Sequence, residues 1–450
     1  MVVFLSEGCS FFAAFSALKK QSFISYAFTL FWLGGVISPA ISQCESNDLF
    51  STHHIYSAGD GPRDIALGDF DGDDDLDVVV VNKESDDVSL FFNNGDATFS
   101  NEIRYTVSNV PYSVAIGDLD NDGDLDFAVS HGAADSTSVF INNGSGSFAD
   151  HASYDSGDAA RSIALGDLNG DGYLDIAVAS FNNETVSTLM NSGDGTFEPQ
   201  IFYSAGRRPH GIALGDLDQD GDIDLAVAGL GAPTTVIRMN DGIGMLPNRA
   251  DYQGGLSPYD IALGDLDNDG DLDITRADGD RDVINVSLNN GEGIFSQAVL
   301  YYPTESNFIA LVVGDVNNDS YLDIIAAGST SQVVVVLLND GLGAFPIGYD
   351  YTAGSSPMGV AVGDLDGDGD LDMAVANNIS NNMSILINHC KSQNECVADL
   401  NNDGVLNFFD ISEFLTFFQK GDLSVDFTDD GQLNFFDVSE FLNAFNNGCP

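Results

Sequence analysis

The chain has 450 residues, 44% of them hydrophobic, and a formal charge of −56 from 14 basic against 70 acidic side chains. That apolar content supports a sizeable core and excludes global disorder. The acidic balance excludes nucleic acid and anionic membrane surfaces as natural partners, and suits cations, cationic partners or neutral ligands such as glycans.

At the N-terminus, Lys19 and Lys20 precede an apolar run from Phe23 to Ser42 that ends in the small-residue signal Ala40-Ile41-Ser42. The pattern predicts a signal peptide over 1–42 and a secreted or cell-surface mature chain with no membrane insertion. A retained anchor is the competing reading, since the run is long enough to span, but Gly34, Gly35 and Pro39 interrupt its end. The 18 residues before the lysines are long for a signal segment, which leaves the true start open. Gln43 stands before Cys44 where a lipoprotein signal wants a small residue. After cleavage four cysteines remain, Cys44, Cys390, Cys396 and Cys449, an even number that predicts two disulfides with three pairings open.

From residue 43 to 390 one pattern repeats. Gly-Asp pairs begin at Gly68, Gly117, Gly166, Gly215, Gly264, Gly314 and Gly363, spaced by 49 residues and once by 50. Each unit reads alike. In the third, "RSIALGD" is a short strand (A), "LNGDGYLD" an acidic loop, "IAVAS" a second strand (B), "TVSTLMN" a third (C), "SGDGTF" a turn, and "EPQIFYSAG" carries a fourth (D). Four short strands per unit predict a mainly β fold, a seven-bladed propeller acting as a monomer. The seventh unit lacks strand D after "MSILIN", whereas "STHHIYSAG" at 51–59 resembles the D strand "PQIFYSAG" at 199–206. The N-terminal strand is therefore expected to complete the last blade, which brings Cys44 and Cys390 close and favours their bond across the closure.

The acidic loops keep a fixed register. Positions 1, 3, 5 and 9 are Asp69, Asp71, Asp73 and Asp77; Asp118, Asp120, Asp122 and Asp126; Asp167, Asn169, Asp171 and Asp175; Asp216, Asp218, Asp220 and Asp224; Asp265, Asp267, Asp269 and Asp273; Asp315, Asn317, Asp319 and Asp323; and Asp364, Asp366, Asp368 and Asp372. Solvated acidic turns would not hold such a register. Alternating carboxylates on a sharp loop supply the six to eight oxygens that calcium takes. Position 12, acidic in an EF-hand, is here Val80, Val129, Val178, Val227, Arg276, Ala326 or Val375, so each loop must end at position 9. Asp74 and Ser320 occupy position 6, where glycine is expected.

In these loops and the turns that follow them, "GDLDNDGDLDFAVS" and "NNGSGSF" resemble FG-GAP/VCBS repeats, as in the integrin α-subunit propeller. The resemblance covers roughly 50–390. It implies a propeller with calcium in the A–B loops of one face, and leaves the function open among adhesins, lectins and some lyases.

Residues 391–395 read as a linker, and 396–450 hold a tandem repeat of 27 residues, each half a loop and an amphipathic helix. Asp399, Asn401, Asp403, Asn407 and Asp410, then Asp426, Thr428, Asp430, Asn434 and Asp437, fall at EF-hand positions 1, 3, 5, 9 and 12. Two such units without entering helices, bracketed by Cys396 and Cys449, are similar to a GC-type dockerin, a small α-helical domain with paired F-hands. The resemblance implies a cohesin-like or surface-anchoring partner, and with the propeller up to nine calcium ions. Phe408, Phe409, Phe435 and Phe436 replace the small polar pair that sets partner choice in cellulosomal dockerins; they are either a partner face or the small domain's core.

On the face opposite the acidic loops, the residues six before each first aspartate are Arg63, Tyr112, Arg161, His210, Tyr259, Ile309 and Met358. All but Ile309 are taken as ligand-face candidates for a glycan or protein, against simple loop variation. Arg276 stands in a strand that is apolar in other blades. The six histidines are scattered and no nucleophile elbow, zinc motif or phosphate loop occurs, so no catalytic residue is assigned. A binding or adhesion module is the leading expectation, and a polysaccharide-active enzyme of propeller-lyase type carried on a dockerin is the alternative.

Overall fold

The computed structural model describes residues 49–390, save 150, 232–233, 255–256 and 305, together with parts of 398–447. The signal peptide, Cys44, Cys396, Cys449, the linker, and Asp399, Asn401, Asp403, Asp426, Thr428 and Asp430 lie outside the described residues.

Seven four-stranded antiparallel sheets follow one another along the chain. The first comprises Pro62–Gly68, Asp77–Asn82, Asp87–Phe91 and Ile103–Thr106, strands A to D in order. Strand B is buried at every position in all seven blades, which is why outside blade five it reads as a mainly apolar run rather than an alternation. Its two faces pack against the two neighbouring blades. Val79 and Val81 of the first blade, for example, meet Val114, Phe127 and Val129 of the second. Seven such clusters, one per junction, close the ring.

The glycine of each Gly-Asp pair has a steric cause. A Cβ on Gly68 would lie 2.8 Å from Leu125 of the next blade, and one on Gly117 2.5 Å from Leu174. Those leucines occupy position 8 of the acidic loops, so the repeat carries both halves of this contact.

Blade seven is built from both ends of the propeller. Thr52–Ser57 pairs antiparallel with Asn382–Ile387, from Thr52 opposite Ile387 to Ser57 opposite Asn382. Leu49, Phe50 and Cys390 join the cluster between blades six and seven, with Phe50 edge-on to Tyr351 at 5.0 Å. Full burial of two such side chains contributes on the order of 3–6 kcal/mol to holding the strand in place.

Strand A carries an irregularity in every blade. Its pairing with strand B slips by one residue between Pro62 and Asp64, and again at the equivalent point in the other six. A bulge of this kind frees one residue from the ladder and re-aims its side chain. Proline stands immediately before the freed residue in five blades, at Pro62, Pro111, Pro209, Pro258 and Pro357, where a missing N–H at a strand start is tolerated.

In the C-terminal region, α1 (Phe408–Lys420) and α2 (Phe435–Asn447) pack through Phe414 and Phe441, which stack face to face at 4.1 Å. Among the described residues no helix is long and apolar enough to cross a membrane.

Candidate functional site

The acidic loops are organised by backbone amides. In the second loop, Asp118 accepts from the amides of Asp122 and Gly123 at 3.2 and 3.0 Å. Gly123 takes a left-handed φ of +98°. Asp74 and Ser320 hold the same position at +73° and +71°, a backbone cost of about 1–2 kcal/mol, yet their amides still donate to Asp69 and Asp315. Position 9 is buried in all seven loops, and both its oxygens accept amides: Asp126 receives Leu119 at 2.8 Å and Asn142 at 2.7 Å. Burial pushes these carboxyls up, Asp126 to about 6, Asp77 and Asp372 to about 7, and Asp323 to about 8.

Position 3 is different. The Oδ1 atoms of Asp71, Asp120, Asp218, Asp267 and Asp366 are buried and receive no hydrogen bond. In those five loops, carboxylate oxygens of three aspartates lie within 4.8 Å of one another, as in Asp118, Asp120 and Asp122. Burial and then the neighbouring aspartates push the position-3 carboxyls up. An oxygen-only cage with an unsatisfied buried acceptor fits a hard cation. In the third and sixth loops Asn169 and Asn317 instead donate their amides to Asp171 and Asp319, at 2.9 and 3.0 Å.

On the opposite face, the residue freed by each bulge is Arg63, Tyr112, Arg161, His210, Tyr259, Ile309 or Met358. All seven line one axial funnel, whose mouth has a volume of about 290 Å³ and whose neck holds about 50 Å³. Lys83, Asn307, Ser329 and Asn378 complete the mouth.

The funnel side chains interlock. Arg63 donates to Met358 O and to Tyr112 Oη, both at 3.0 Å. Tyr112 Oη lies 3.0 Å from His210 Nε2, and His210 Nδ1 lies 2.7 Å from Tyr259 O. A carbonyl can only accept, so the His210 proton sits on Nδ1, and Nε2 accepts from Tyr112. Burial, then Arg63, pushes the imidazole down to about 3, consistent with this neutral tautomer. The Arg63 and Arg161 guanidiniums lie over the Tyr112 ring at 4.4 and 4.3 Å.

The family model for FG-GAP-like repeats matches residues 69–129, 128–178, 167–227, 216–275, 265–326 and 315–375. The chain belongs to the FG-GAP-like repeat family. No curated protein is similar to it at a significant level. Among solved structures, BBS1N in complex with ARL6DN is 12% identical over 76% of this chain and 97% of its own, with a TM-score of 0.54. A virginiamycin B lyase from Staphylococcus aureus is 14% identical over 75% and 99%, at 0.52. A lectin of Agrocybe aegerita is 22% identical over 71% and 86%, at 0.49. The first two likenesses show the fold alone.

Each FG-GAP-like repeat also holds a residue that the sequence reading passed over. Asn93, Asn142, Asn191, Asn240, Asn289, Asn339 and Asn388 each donate to a loop carbonyl of the preceding blade at 2.7–2.8 Å. Their backbone N–H groups also donate to the position-9 aspartate sixteen residues earlier, as Asn142 N does to Asp126. The signal was a fixed offset hidden inside turns read only for glycine.

Arg276, left open from sequence, is fully buried and donates to Ser287 Oγ at 2.9 Å. Burial lowers its guanidinium to about 10.

In the tail, Phe408, Phe409 and Phe435 are 74%, 68% and 77% exposed, and the domain core is instead Phe414 and Phe441. The Phe436 side chain lies outside the described residues. Asn407 and Asp410 form a capping box at the start of α1, Asn407 Oδ1 accepting from Phe409 N and Asp410 Oδ2 from Asn407 N, both at 2.8 Å. Asp437 accepts from Asn434 N at 2.6 Å in the same way.

Proposed function

We propose that this FG-GAP-like propeller is a secreted, calcium-stabilised binding module that takes its ligand, a glycan or a protein, in the axial funnel. The observation that carries the reading is the bulge in every blade. It turns one residue per blade out of the ladder and towards a common cavity, a departure that strand pairing alone does not require. Calcium in the acidic loops is supported by the five orphaned position-3 oxygens and their close carboxylate neighbours. The tail serves as a dockerin-like coupling domain to a cohesin-like or surface partner. That part is supported by the duplicated caps and by phenylalanines exposed at equivalent helix starts. A Cys44–Cys390 bond across the closure is supported by the burial of Cys390 in one cluster with Leu49 and Phe50.

The test is binding of the calcium-loaded chain to an immobilised glycan panel, repeated with Tyr112→Ala and with Phe408→Ser. Loss with the first and retention with the second is expected. Binding untouched by Tyr112→Ala would sink the funnel reading.

One observation keeps an enzymatic alternative, a polysaccharide-active lyase. Burial pushes the Tyr112 phenol up, but Arg63 and Arg161 outweigh it and hold the group below its usual range. A phenol so tuned can serve as a general base. Product release from a polysaccharide, abolished by Tyr112→Phe, would establish it.

A further inference from the structure

The chain carries five acidic side chains for every basic one, 70 against 14. Each exposed cation therefore has many carboxylates to choose from. The described ion pairs use Lys83, Arg104 and Arg249. Arg63 and Arg161 are in none of them, although they stand side by side over Tyr112 in the funnel. Arg63 spends its donors on Met358 O and Tyr112 Oη. Arg161 Nε is buried and has no hydrogen-bond partner. Its guanidinium lies over the ring faces of Tyr112 at 4.3 Å and Phe181 at 5.2 Å.

The two acids of the neck, Asp64 and Asp260, act on Arg63 through charge alone and form an ion pair with neither arginine. Asp64, in the neck, accepts amides from Ile65 and Val114, both at 3.0 Å. Asp260 likewise accepts from Leu311 at 3.0 Å. Their carboxylates tie strand A of one blade to strand A of the next. A cationic cup has thus been kept in an acidic molecule, with its own acids bonded to the backbone.

Resting on the funnel reading above, we propose that the axial funnel binds the end of an anionic glycan, a sugar carboxylate or sulfate ester being held by Arg161 beside Arg63. The planar guanidinium fork matches either oxyanion. Tyr259 offers a ring face to a sugar, while Asn307, Ser329 and Asn378 at the mouth offer amides and a hydroxyl to its alcohol groups. A cup of about 290 Å³ with a narrow floor accepts a chain end rather than the middle of a chain. These uncharged mouth groups favour a polyol over an acidic peptide, whose backbone and aliphatic stems ask for fewer of them.

Titration calorimetry on the full chain in calcium tests this with four probes: a uronic-acid tetramer, a sulfated galactose tetramer, a neutral galactose tetramer and tetraglutamate. One or both anionic sugars should bind, weakening as salt rises, with the neutral sugar and the peptide at least about tenfold weaker, the scale of a charge-assisted bidentate contact. Arg161→Gln should lose about tenfold or more, and Arg161→Lys, which keeps charge without the fork, should fall between. Which anionic tetramer binds separates carboxylate from sulfate. Melting curves in calcium check that both variants fold. If Arg161→Gln fails to fold, the comparison with Arg161→Lys and the neutral probe decides.

Equal binding of the neutral tetramer, binding unchanged in a folded Arg161→Gln, or failure of both anionic tetramers would overturn the proposal. Tetraglutamate binding as tightly as the sugars would overturn the choice of glycan. The underlying reading fails separately. Neutral-sugar binding abolished by Tyr112→Ala keeps the funnel and discards the anion, whereas sugar binding untouched by Tyr112→Ala discards both.

Discussion

Asp126 shows how much one side chain does in this repeat. Its two oxygens hold the amides of Leu119 and Asn142, and Asn142 in turn reaches the Phe70 carbonyl of the preceding blade. Asp126→Ala strands two buried N–H groups, each costing about 1–3 kcal/mol. A loss of that order in urea unfolding should persist in excess chelator, because the bonds are to backbone. A loss seen only with calcium present would mean that Asp126 acts chiefly as a ligand. Asp260 carries a pH signature of its own. Burial raises its carboxyl from 3.8 to about 6 in the fold. A raised folded value means that its contribution is fully present below about pH 4 and lost as pH rises through 6. Asp260→Asn keeps an acceptor for Leu311 and removes the charge, so it should melt above wild type at pH 7 and level with it near pH 4. A gap independent of pH would refute this assignment. At this scale the sequence was partly legible. The funnel positions could be located by counting back six residues from each loop, but the bulge that turns them out could not. A slipped register is a property of two paired strands, and its trace in one of them is a proline that Ala160 and Phe308 replace.

An acidic loop is an element whose stability changes sign with its surroundings. Without a cation, Asp265, Asp267 and Asp269 crowd like charges within 4.8 Å; with one, the same oxygens become its shell. Asp267→Asn should therefore raise the melting temperature slightly in chelator and lower it in calcium. The same direction in both solvents would argue against a cation there. For the whole chain, removing calcium is expected to depress the melting temperature, since a ligand held only by the folded state stabilises it by mass action. Unchanged melting in excess chelator would sink the metal reading. The loops were the most readable elements, because four acidic positions recur in one register at a period of 49 residues. The exposed helix starts were not. "NFFD" allows the phenylalanines to be core or surface, and only the stacking of Phe414 on Phe441 settles where the core lies.

At the scale of the molecule, seven apolar junctions and seven asparagine bridges join each blade to the next. The seventh blade is completed by Thr52–Ser57. Deleting residues up to Ser57 leaves Asn382–Ile387 as an open edge. Lower thermal stability and self-association on size exclusion are expected. A monomer of unchanged stability would show the closing strand to be dispensable. This closure also sets a timetable. Thr52 and its partner Ile387 are at opposite ends of the propeller sequence, so the strand synthesised first is among the last to be placed. While the intervening blades are made, that segment has no partner within the chain, and pairing across so long a loop is slow. A copy of the same segment from another molecule fits the waiting edge equally well. The geometry that completes the last blade from the first strand thus makes the half-made chain most open to exchange with its neighbours. It also makes the delay between first and last blade the vulnerable interval in the protein's life.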